Sequence, residues 1–386
     1  MNDKKKLGIY VHIPFCIRKC LYCDFLSDTV ETSVRKQYIE ALINEIDSCP
    51  LKDIDYKSQY SADTIFFGGG TPSILEADQI DEIMKALAFR FDISKTSEIT
   101  IECNPGTATK KKLEGYKKAG INRISIGLQS ANDEELKTLG RIHDYAQFLE
   151  TFEIARLVGF DNINIDLMSA IPGQSLDSYK DTLLKVISLK PEHISSYSLI
   201  IEEGTPFYDM YGDNGPDEPD EDTEREMYYM TERLLNEAGY HRYEISNYSL
   251  DGYECRHNSS YWTGTDYIGL GIGAASLIDG VRYSNTSDMY SYMKASSKAL
   301  EIPTDEYRCL SVNERMEEFM FLGLRMIRGI STSKFKERFG RDIYEVYARP
   351  LEKLSKEGLI MINGDNIRLT SQGIDVSNMA LANFLL

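Results

Sequence analysis

The sequence predicts an α/β protein, namely a partial (β/α)6 TIM-type barrel followed by a small C-terminal α+β domain with a winged-helix-like pattern. Short runs of β-branched and aromatic residues alternate with longer amphipathic stretches over the first half of the chain. Five strand-helix-strand steps follow one another without a long antiparallel section, which favours a parallel sheet with helices on its outer face. Six strands are fewer than the eight of a closed barrel, so the barrel is incomplete.

The elements are predicted in order along the chain. The strands are predicted at residues 8–13, 64–67, 98–102, 123–128, 162–167 and 193–199. Amphipathic helices are predicted between them at residues 34–46, 77–89, 109–119, 145–158 and 176–189.

The rest of the chain divides into two further predicted regions after the barrel at residues 1–200, an extension at 201–305 and the C-terminal domain at 306–386. Residues 202–226 contain eleven Asp or Glu and one basic residue, Arg225. This acidic segment is interpreted as a solvated loop leading into a helix after Pro219, because helix N-termini favour Pro and acidic side chains. An interaction tail is the alternative.

The last two stretches have different patterns. Residues 244–284 are rich in Tyr and Gly and are predicted to form loops and short strands. Helical patterns follow at 314–327, 333–339 and 344–357, and then the hairpin-like LIMINGDNIRLT around an Asn-Gly pair. Winged-helix modules often bind DNA, but this one has few surplus positive charges, which favours a packing or partner-binding role.

Composition limits the classes of partner. The chain has 61 acidic and 43 basic residues in 386, a formal net charge of −18, and 42% of its residues are hydrophobic. That apolar content excludes a chain disordered throughout. The acidic excess argues against nucleic acid, because phosphate binding depends on Lys and Arg, and against anionic membrane surfaces.

A cytosolic protein is expected. No stretch reaches the roughly 18 uninterrupted apolar residues of a membrane span, and the start, MNDKKKLGIY, lacks the apolar region of a secretory signal. Seven cysteines, an odd number, favour free thiols or metal ligands over a disulfide framework.

Three cysteines follow the first predicted strand, where a barrel places its chemistry. In GIYVHIPFCIRKCLYCDF, Cys16, Cys20 and Cys23 have the spacing Cys-x3-Cys-x2-Cys. Thiolates at this spacing can bind three irons of one 4Fe-4S cluster and leave the fourth iron open to a small chelating molecule. A zinc site usually needs four protein ligands, and His12 is expected to be packed or hydrogen-bonded. A loop merely stapled by iron or zinc is the structural alternative.

The other four cysteines do not form a second close pair in the sequence. They are Cys49, Cys103, Cys255 and Cys309.

The YVHIPFC motif with its cysteine triad resembles that of radical S-adenosylmethionine (SAM) proteins, and the resemblance covers nearly the whole chain. It is closest to the branch that contains oxygen-independent coproporphyrinogen III oxidases and the HemW haem chaperones. The resemblance implies that the methionyl amine and carboxylate of SAM bind the open iron. It also implies that reduction of the sulfonium can yield a 5′-deoxyadenosyl radical.

Polar groups at the other strand ends are candidates for holding SAM. The glycine cluster in FFGGGTPS offers backbone groups to the methionyl moiety. By side-chain chemistry, Glu102 suits the cofactor's amine, Arg141 suits a carboxylate and Asp166 suits ribose hydroxyls. The resemblance implies a set of SAM-binding residues: Tyr10, Tyr22, Gly69, Gly70, Thr71, Glu102, Gln129, Arg141 and Asp166.

A second constellation lies in CRHNSSYWTGTDYIGLGIGAAS. Histidine is a common axial ligand of haem iron, and Tyr and Trp offer flat apolar surface. On side-chain chemistry alone, an aromatic patch around a buried histidine is favoured. The pattern His-Asn-x-x-Tyr-Trp resembles the haem-binding motif of HemW proteins, which implies haem binding by His257, Asn258, Tyr261 and Trp262.

Two positions in the sequence bear on which function of this branch the chain has. Its coproporphyrinogen oxidases have a further cysteine two positions after the third, where this chain has Phe25, as HemW-like members do. Many relatives read Gly-Ala-His-Ser where this chain reads GAAS at 273–276, so a second haem histidine is missing. The haem iron then has one histidine ligand, or its second ligand comes from another part of the chain. The candidates are His143, His193 and His241, with Cys255 as a soft-ligand candidate.

The sequence therefore predicts a haem chaperone that carries a 4Fe-4S cluster and SAM, binds haem and transfers it to an acceptor protein. An electron donor is a further predicted partner. The alternative is an oxygen-independent coproporphyrinogen III oxidase, and these residues leave open whether SAM is cleaved.

Overall fold

Six parallel strands follow one another in chain order, as predicted. The computed structural model describes residues 4–48, 54–212, 220–298 and 301–386. Each strand pairs in parallel with the next, for example Ile9 opposite Ile65 and Ile101 opposite Ile124. The strands are β1 (Lys5–Ile13), β2 (Tyr60–Gly69), β3 (Ile93–Cys103), β4 (Arg123–Gln129), β5 (Ile163–Ser169) and β6 (His193–Ser198).

Helices connect these strands on the outer face. Asp144 and Gln147 form a capping box at the start of α6, and Gly159 ends that helix at a φ of 94°. The predicted helices at 145–158 and 176–189 have those bounds in the structure. The helices are α1 (Thr32–Ser48), α2 (Tyr56–Gln59), α3 (Ala77–Arg90), α4 (Lys110–Lys118), α5 (Asp133–Thr138), α6 (Tyr145–Val158) and α7 (Leu176–Leu189).

Side chains alternate between the two faces of each barrel strand. In β1, Ile9 and Val11 belong to the apolar core beneath the helices, whereas Tyr10 lines a cavity in the barrel lumen. In β5, Ile165 likewise packs in the core and Asp166 lines the lumen. Strands of parallel sheets are usually apolar on both faces. The polar inner face therefore marks the lumen as the place for chemistry.

The acidic segment contains a short helix and the start of a long one. α8 spans Pro206–Tyr211 and α9 spans Glu221–Glu237. The Asp220 side chain accepts a hydrogen bond from the Thr223 N–H (2.8 Å) and so caps α9. This confirms the predicted helix, although Pro219 itself lies outside the described residues.

Residues 241–309 extend both edges of the sheet. β7 and β8 pair antiparallel beyond β6, and β10, β11 and β12 continue the sheet antiparallel beyond β9. Short strands were predicted over residues 244–284, and one of them adds a seventh parallel strand beside β1. The sequence analysis did not predict the helices at Arg256–Trp262 and Met289–Ser297 or the strand at Thr304–Cys309. The elements are β7 (His241–Arg242), β8 (Asn247–Ser249), α10 (Arg256–Trp262), β9 (Tyr267–Leu270), β10 (Ala275–Ile278), β11 (Val281–Asn285), α11 (Met289–Ser297) and β12 (Thr304–Cys309).

The C-terminal region has a separate apolar core, which confirms the winged-helix-like prediction. Three helices pack on a small sheet with the order β13-β15-β14. The first helix ends at Gly323 rather than at the predicted 327, because the chain turns there and the Ile327 N–H donates to the Tyr243 carbonyl (3.0 Å). The elements are α12 (Val312–Gly323), β13 (Ile330–Ser331), α13 (Thr332–Phe339), α14 (Ile343–Lys356), β14 (Ile360–Asn363), β15 (Asn366–Leu369), α15 (Ser371–Asp375) and α16 (Ser377–Leu381).

The division of the chain at residues 200 and 305 stays a prediction, although β12 crosses residue 305 and pairs with β11.

None of the helices in the described ranges is both long and apolar enough to cross a lipid bilayer.

A buried carboxylate on α1 fastens the seventh parallel strand to the barrel. Glu45 is 1% exposed and accepts hydrogen bonds from the Gly271 N–H (2.8 Å), the Asn285 side chain (2.6 Å) and the Tyr292 hydroxyl. Burial raises the pKa of Glu45 to about 7, against these three donors, which lower it. Gly271 directly follows β9, so Glu45 fixes the carboxyl end of that strand.

We expect Glu45→Ala to lower the free energy of unfolding by about 3 kcal/mol, because three buried donors lose their acceptor. Since the pKa of Glu45 is raised in the folded state, its contribution is greatest in acid and declines as the pH rises from 4.5 towards 7. Urea unfolding at several pH values, followed by circular dichroism, measures both effects. Glu40→Ala, an exposed position on the same helix, is the control. Equal stability of the two variants would contradict the prediction.

Candidate functional site

The cysteine loop leaves the carboxyl end of β1. Cys16 is buried, and its N–H donates to the Asp28 carbonyl (3.0 Å), while Cys20 and Cys23 are half-buried. The Cys23 N–H donates to the Cys20 carbonyl (3.3 Å), which makes the second half of the loop a tight turn. The loop thus holds three thiols at the end of the barrel where ligands of this architecture bind.

The sulfur atoms receive hydrogen bonds from two predicted cofactor residues. The Thr71 hydroxyl donates to Cys16 Sγ (3.6 Å), and Arg141 Nη1 donates to Cys20 Sγ (3.4 Å). A guanidinium beside a sulfur favours the thiolate, which is the form that ligates metals. Burial raises the pKa of Cys23, and the two other cysteine sulfurs add to that effect. The three sulfurs are therefore close enough to interact electrostatically.

The described residues do not offer a ligand set for a single metal ion. No group of three or more Cys, His, Asp or Glu side chains among them is arranged around one ion position. A zinc ion needs all its ligands at about 2.0–2.3 Å from one centre, whereas a cubane cluster takes each thiolate on a different iron. The donor set and its spacing therefore fit a cluster better than a zinc staple.

His12 is hydrogen-bonded, as the sequence analysis expected. Its Nε2 lies 2.8 Å from the Leu26 carbonyl and therefore carries the proton, while its Nδ1 accepts from the Tyr10 hydroxyl (3.1 Å). Burial lowers the pKa of His12 and keeps the ring neutral. With both nitrogens engaged, His12 fixes the cysteine loop against β1 and is not a fourth ligand.

The glycine cluster lies against the cysteine loop. A Cβ on Gly70 would come within 2.8 Å of the Phe15 carbonyl oxygen, so only glycine allows this approach. The N–H groups of Gly70 and Thr71 donate to the Ile13 and Phe15 carbonyls (2.9 and 2.7 Å). Because these N–H groups are engaged, the loop can meet an amine only through carbonyl oxygens.

Glu102 is a half-buried carboxylate with a single hydrogen bond among the described residues. Its Oε2 accepts from the Gly69 N–H (3.2 Å) in the glycine cluster. Burial, followed by the negative charge of Asp166, raises the pKa of Glu102 to about 8. A carboxyl with spare acceptor capacity takes a hydrogen-bond donor. The N–H groups of the methionyl amine, which the resemblance places on the open iron, would be such donors.

Asp166 and Gln129 occupy the next strands of the lumen. Asp166 accepts from Ser125 (2.9 Å) and Asn164 (2.7 Å), and burial raises its pKa. Gln129 ends β4 with a φ of 72°, a left-handed conformation that is unusual for a residue other than glycine. Such strain occurs at functional sites because the surrounding structure has to enforce it.

Arg141 and Tyr22 interact with each other beside the cysteine loop, and Tyr10 lies in the lumen. Arg141 Nη2 donates to Asn104 Oδ1 (2.7 Å) and to the Gly127 carbonyl (2.8 Å), so its guanidinium bridges the sulfur of Cys20 and β4. Tyr22 packs edge-on against Phe207, and burial raises its pKa. Tyr10 faces the lumen beneath the cysteine loop. The role of each in binding SAM stays a prediction.

Sequence reasoning missed further polar residues of the lumen. The alternation of polar and apolar residues in RISIGLQ, NINIDLM and HISSYS is the pattern that would have revealed them. They share the inner face of the sheet and are the buried residues Glu98, Arg123, Ser125, Asn164 and Ser195 and the exposed Tyr197.

The helix α10, which carries the predicted haem motif, closes the opposite end of the barrel. Glu98 of β3 accepts hydrogen bonds from the N–H groups of Arg256 and His257 (3.0 Å each). Arg256 pairs with Asp63 near the start of β2 (2.6 Å). These contacts involve the amino halves of β2 and β3. The motif and the cysteine loop therefore lie at opposite ends of the lumen.

His257 lies inside the lumen and has partners on both nitrogens. Nδ1 is 2.8 Å from the Thr64 hydroxyl and Nε2 is 2.9 Å from the Tyr261 hydroxyl, and the ring stacks on Phe66. The residue is 1% exposed, and burial lowers its pKa to about 3. The ring is thus neutral, as an iron ligand must be, but its Nε2 is covered by Tyr261.

The other three motif residues separate two cavities. Asn258 lines the lumen cavity of about 170 Å³, and Trp262 lines a cleft of about 990 Å³ between the barrel and the C-terminal region. Tyr261 lines both. The guanidinium of Arg325 lies 4.5 Å from the centre of the Trp262 ring. The motif is therefore a partition between lumen and cleft.

None of the further ligand candidates lies ready beside His257. His143 and His193 are buried and hydrogen-bonded elsewhere, and His241 pairs with Glu254 (3.1 Å). Burial raises the pKa of the Cys255 thiol to about 12, so this candidate is a neutral buried thiol. Cys49 lies outside the described residues, and Cys103, which is buried, and Cys309, which is exposed, are free.

Known protein families match both parts of this architecture. Residues 10–186 match the model of the radical SAM superfamily, and residues 310–376 match that of the HemN C-terminal domain. A heme chaperone HemW from Lactococcus lactis is 34% identical over 99% of this chain and 98% of its own length. The heme chaperone HemW from Bacillus subtilis is 35% identical over 97% and 98%. The chain belongs to the HemW family of radical SAM proteins.

A solved structure supports the fold of this HemW-family chain. The coproporphyrinogen III oxidase HemN from Escherichia coli matches 99% of this chain and 90% of its own with a TM-score of 0.85, at 23% identity. That likeness confirms the barrel with its C-terminal module and concerns the fold alone.

Membership of a radical SAM family implies a 4Fe-4S cluster and SAM. The residues present fit both groups. Cys16, Cys20 and Cys23 would hold the cluster, with donors already directed at two sulfurs, and Glu102 would hold the amine of SAM. When bound, the cluster supplies the electron that reductive cleavage of SAM requires. The chain's own residues hold Glu102 through the Gly69 N–H, and burial disfavours the charged form of its carboxyl.

We expect Glu102→Gln in the cluster-loaded protein to weaken SAM binding by about 10-fold or more, because a charge-assisted hydrogen bond is lost. In the free protein the Glu102 carboxyl has a pKa of about 8, and accepting from the amine N–H groups of SAM favours its ionised form, so binding releases its proton. Affinity should therefore rise more steeply between pH 6 and 8 in the wild type than in the variant, whose side-chain amide has no proton to release. Isothermal titration in two buffers of different ionisation enthalpy measures the affinity and the proton release. Equal pH dependence in both proteins would remove Glu102 from the SAM site.

Proposed function

We propose that this chain is a haem chaperone that binds haem at its amino-end cleft and transfers it to an acceptor protein. In this proposal, a 4Fe-4S cluster on Cys16, Cys20 and Cys23 and SAM at its open iron occupy the carboxyl end of the barrel. The two relatives described above are named heme chaperones, and this chain matches nearly their whole length.

The observation that carries the proposal is the separation of the two ends. His257 contacts Thr64 of β2, whereas the glycine cluster begins at Gly68 of the same strand. Four residues of strand span roughly 13 Å at about 3.3 Å per residue. Tyr261, which lines both cavities, lies between the lumen, where SAM would bind, and a porphyrin in the cleft, so a radical formed in the lumen is separated from the porphyrin's hydrogens. This geometry favours carriage of haem over chemistry on its side chains.

The sizes of the two cavities support the same conclusion. Small-molecule sites usually span about 300–1,000 Å³. The lumen cavity of about 170 Å³ is below that range, and the cleft of about 990 Å³ is at its upper end. A macrocycle therefore fits the cleft, where Trp262 offers its indole ring, and does not fit the lumen.

The arrangement at His257 suits reversible ligation. Haem iron reaches Nε2 from the cleft when the Tyr261 side chain moves aside, because Tyr261 lies between the ring and the cleft. Breaking that hydrogen bond costs about 1 kcal/mol. A histidine whose bond to the haem iron competes with an internal hydrogen bond of similar strength can bind haem and release it again.

The proposal requires two protein partners and a compartment. The haem acceptor takes the cargo, and an electron donor reduces the cluster. The cytosol suits this work, because thiolate ligands stay reduced there.

We expect His257→Ala to abolish the Soret shift that marks histidine ligation when haem is titrated into the cluster-loaded protein. Tyr261→Phe should instead strengthen ligation by about 5-fold, since Nε2 loses its internal competitor. Absorbance spectra measure both, and the cluster band reports that the fold is retained. His241→Ala, a histidine at the far edge of the sheet, is the matched control.

An unchanged Soret band in His257→Ala would exclude this histidine as the ligand. A Tyr261→Phe protein with weaker haem binding would show that the tyrosine contacts haem rather than covers the histidine.

We also expect no protoporphyrinogen when the cluster-loaded protein is incubated without oxygen with coproporphyrinogen III, SAM and dithionite. Chromatography of the oxidised porphyrins measures the product, and a coproporphyrinogen oxidase serves as the positive control. Formation of product would establish the oxidase alternative and refute a chaperone without activity on porphyrinogens.

A further inference from the structure

The cleft beside the haem motif lies at the amino end of the barrel and has two walls. Lys5 of β1, Asp266 before β9 and Gly280 after β10 belong to the barrel wall. The other wall comes from the C-terminal module and includes Phe319 of α12 and Lys334 of α13. A ligand in the cleft therefore contacts both parts of the chain.

The cleft is positively charged in a protein that is strongly acidic. Seven Lys and Arg residues line it against three carboxylates, while the whole chain has a net charge of −18. The net charge of the cleft lining is therefore positive, whereas the net charge of the whole chain is negative. Local reversal of charge indicates an anionic ligand, because field lines concentrate in a low-dielectric cleft. The cations are Lys5, Lys6, Arg282, Arg315, Arg328, Lys334 and Arg338.

The three carboxylates of the lining already have partners. Glu318 pairs with Arg282 through both oxygens (2.7 and 3.2 Å), and Asp279 pairs with Lys5. Asp266 accepts from the Tyr60 hydroxyl (3.1 Å). Four cations remain without a carboxylate within ion-pair distance among the described residues: Arg315, Arg328, Lys334 and Arg338.

Two of these arginines lie beside one aromatic ring of the C-terminal module. The guanidinium of Arg315 lies 6.0 Å from the centre of the Phe339 ring, and that of Arg338 lies 5.7 Å from the same centre. Desolvation, followed by the positive charge of Arg315, lowers the pKa of Arg338. The fold therefore brings two cations to one part of the cleft lining.

Both arginines also extend towards glycines of the barrel wall. A Cβ on Gly264 would come within 2.6 Å of Arg338 Nη1, and one on Gly280 within 3.6 Å of Arg315 Nη1. Arg338 Nη2 donates to the Gly264 carbonyl (3.2 Å). Gly264 follows the motif helix by two residues, so Arg338 lies directly beside the haem motif.

We propose that Arg315 and Arg338 bind the two propionate carboxylates of haem in this cleft. The inference rests on the proposed haem binding and specifies where the dianionic edge of the porphyrin lies. Each planar guanidinium can take a carboxylate in a bidentate manner. The macrocycle then extends from the arginines towards Trp262 and Tyr261, and the iron faces the side from which His257 becomes accessible. Haem therefore holds the barrel and the C-terminal module together.

The test compares two proteins with two ligands and uses the full, cluster-loaded chain. The proteins are the wild type and the double variant Arg315→Gln/Arg338→Gln, and the ligands are haem and its dimethyl ester, in which both propionates are uncharged. Binding is followed by the fluorescence of the single tryptophan and by the Soret band. We expect the double variant to bind haem about 10- to 100-fold more weakly. The wild type should bind the ester as weakly, and the variant should bind the two ligands equally.

Two further variants separate recognition of charge from structural effects. Arg349→Gln, an exposed arginine of α14 outside the cleft lining, should bind haem like the wild type. Arg315→Lys/Arg338→Lys should restore part of the preference for haem over the ester.

The outcomes distinguish this inference from the proposed function. If the wild type binds neither ligand, the haem chaperone proposal fails and the inference with it. If the wild type binds haem and the double variant binds it equally well, haem binding stands and the propionate site is refuted. If the double variant binds both ligands more weakly by the same factor, the arginines act on the fold and the inference is overturned.

Discussion

The hydrogen bonds between the Glu98 carboxylate and the first turn of α10 determine how the rest of the protein works. Glu98 lies on the inner face of β3 and accepts from the N–H groups of Arg256 and His257, and the thiol of Cys255 approaches the same carboxylate. The positive end of a helix favours a buried negative charge at this position. This contact closes the amino end of the barrel with the motif helix. The closed lumen, the buried histidine and the open cleft behind it all follow from that closure.

Burial in this lumen keeps two of its titratable groups, Glu102 and His257, uncharged near neutral pH. The pKa of Glu102 is raised to about 8 and that of His257 is lowered to about 3, so both residues are neutral at pH 7. The common cause is the low dielectric of the barrel interior, which disfavours either sign of charge. A cationic cofactor group at one end can ionise the carboxyl, and a neutral imidazole at the other end is already in the form that binds iron. One environment therefore prepares two different binding events.

The parallel strands and their helices could be predicted because their causes are local. Alternation of Ile with polar residues marks the strands, and the helix at 145–158 has both its capping box and its terminal glycine in the sequence. The cysteine triad, the glycine cluster and Glu102 could be placed together because carboxyl ends of parallel strands share one edge. The helix α10 and the pairing of β9 with β1 could not be predicted, since short polar and glycine-rich segments take their structure from the β1 edge and from Glu98. The lumen residues Arg123 and Asn164 were missed because single polar residues within strands have no motif.

The sequence by itself determined the barrel order, because that order depends on periodicity along short stretches of chain. It predicted the cluster ligands from the spacing of three cysteines and the haem motif from a resemblance. Only the tertiary structure decided that the motif helix lies at the end of the barrel opposite the cysteines, that Tyr261 covers His257, and that Arg315 and Arg338 line the same cleft as Trp262. These facts depend on residues that are far apart in the chain and come together when the C-terminal module packs against the barrel. Distances across such a contact are set by the packing of whole elements, which no local pattern in the chain contains.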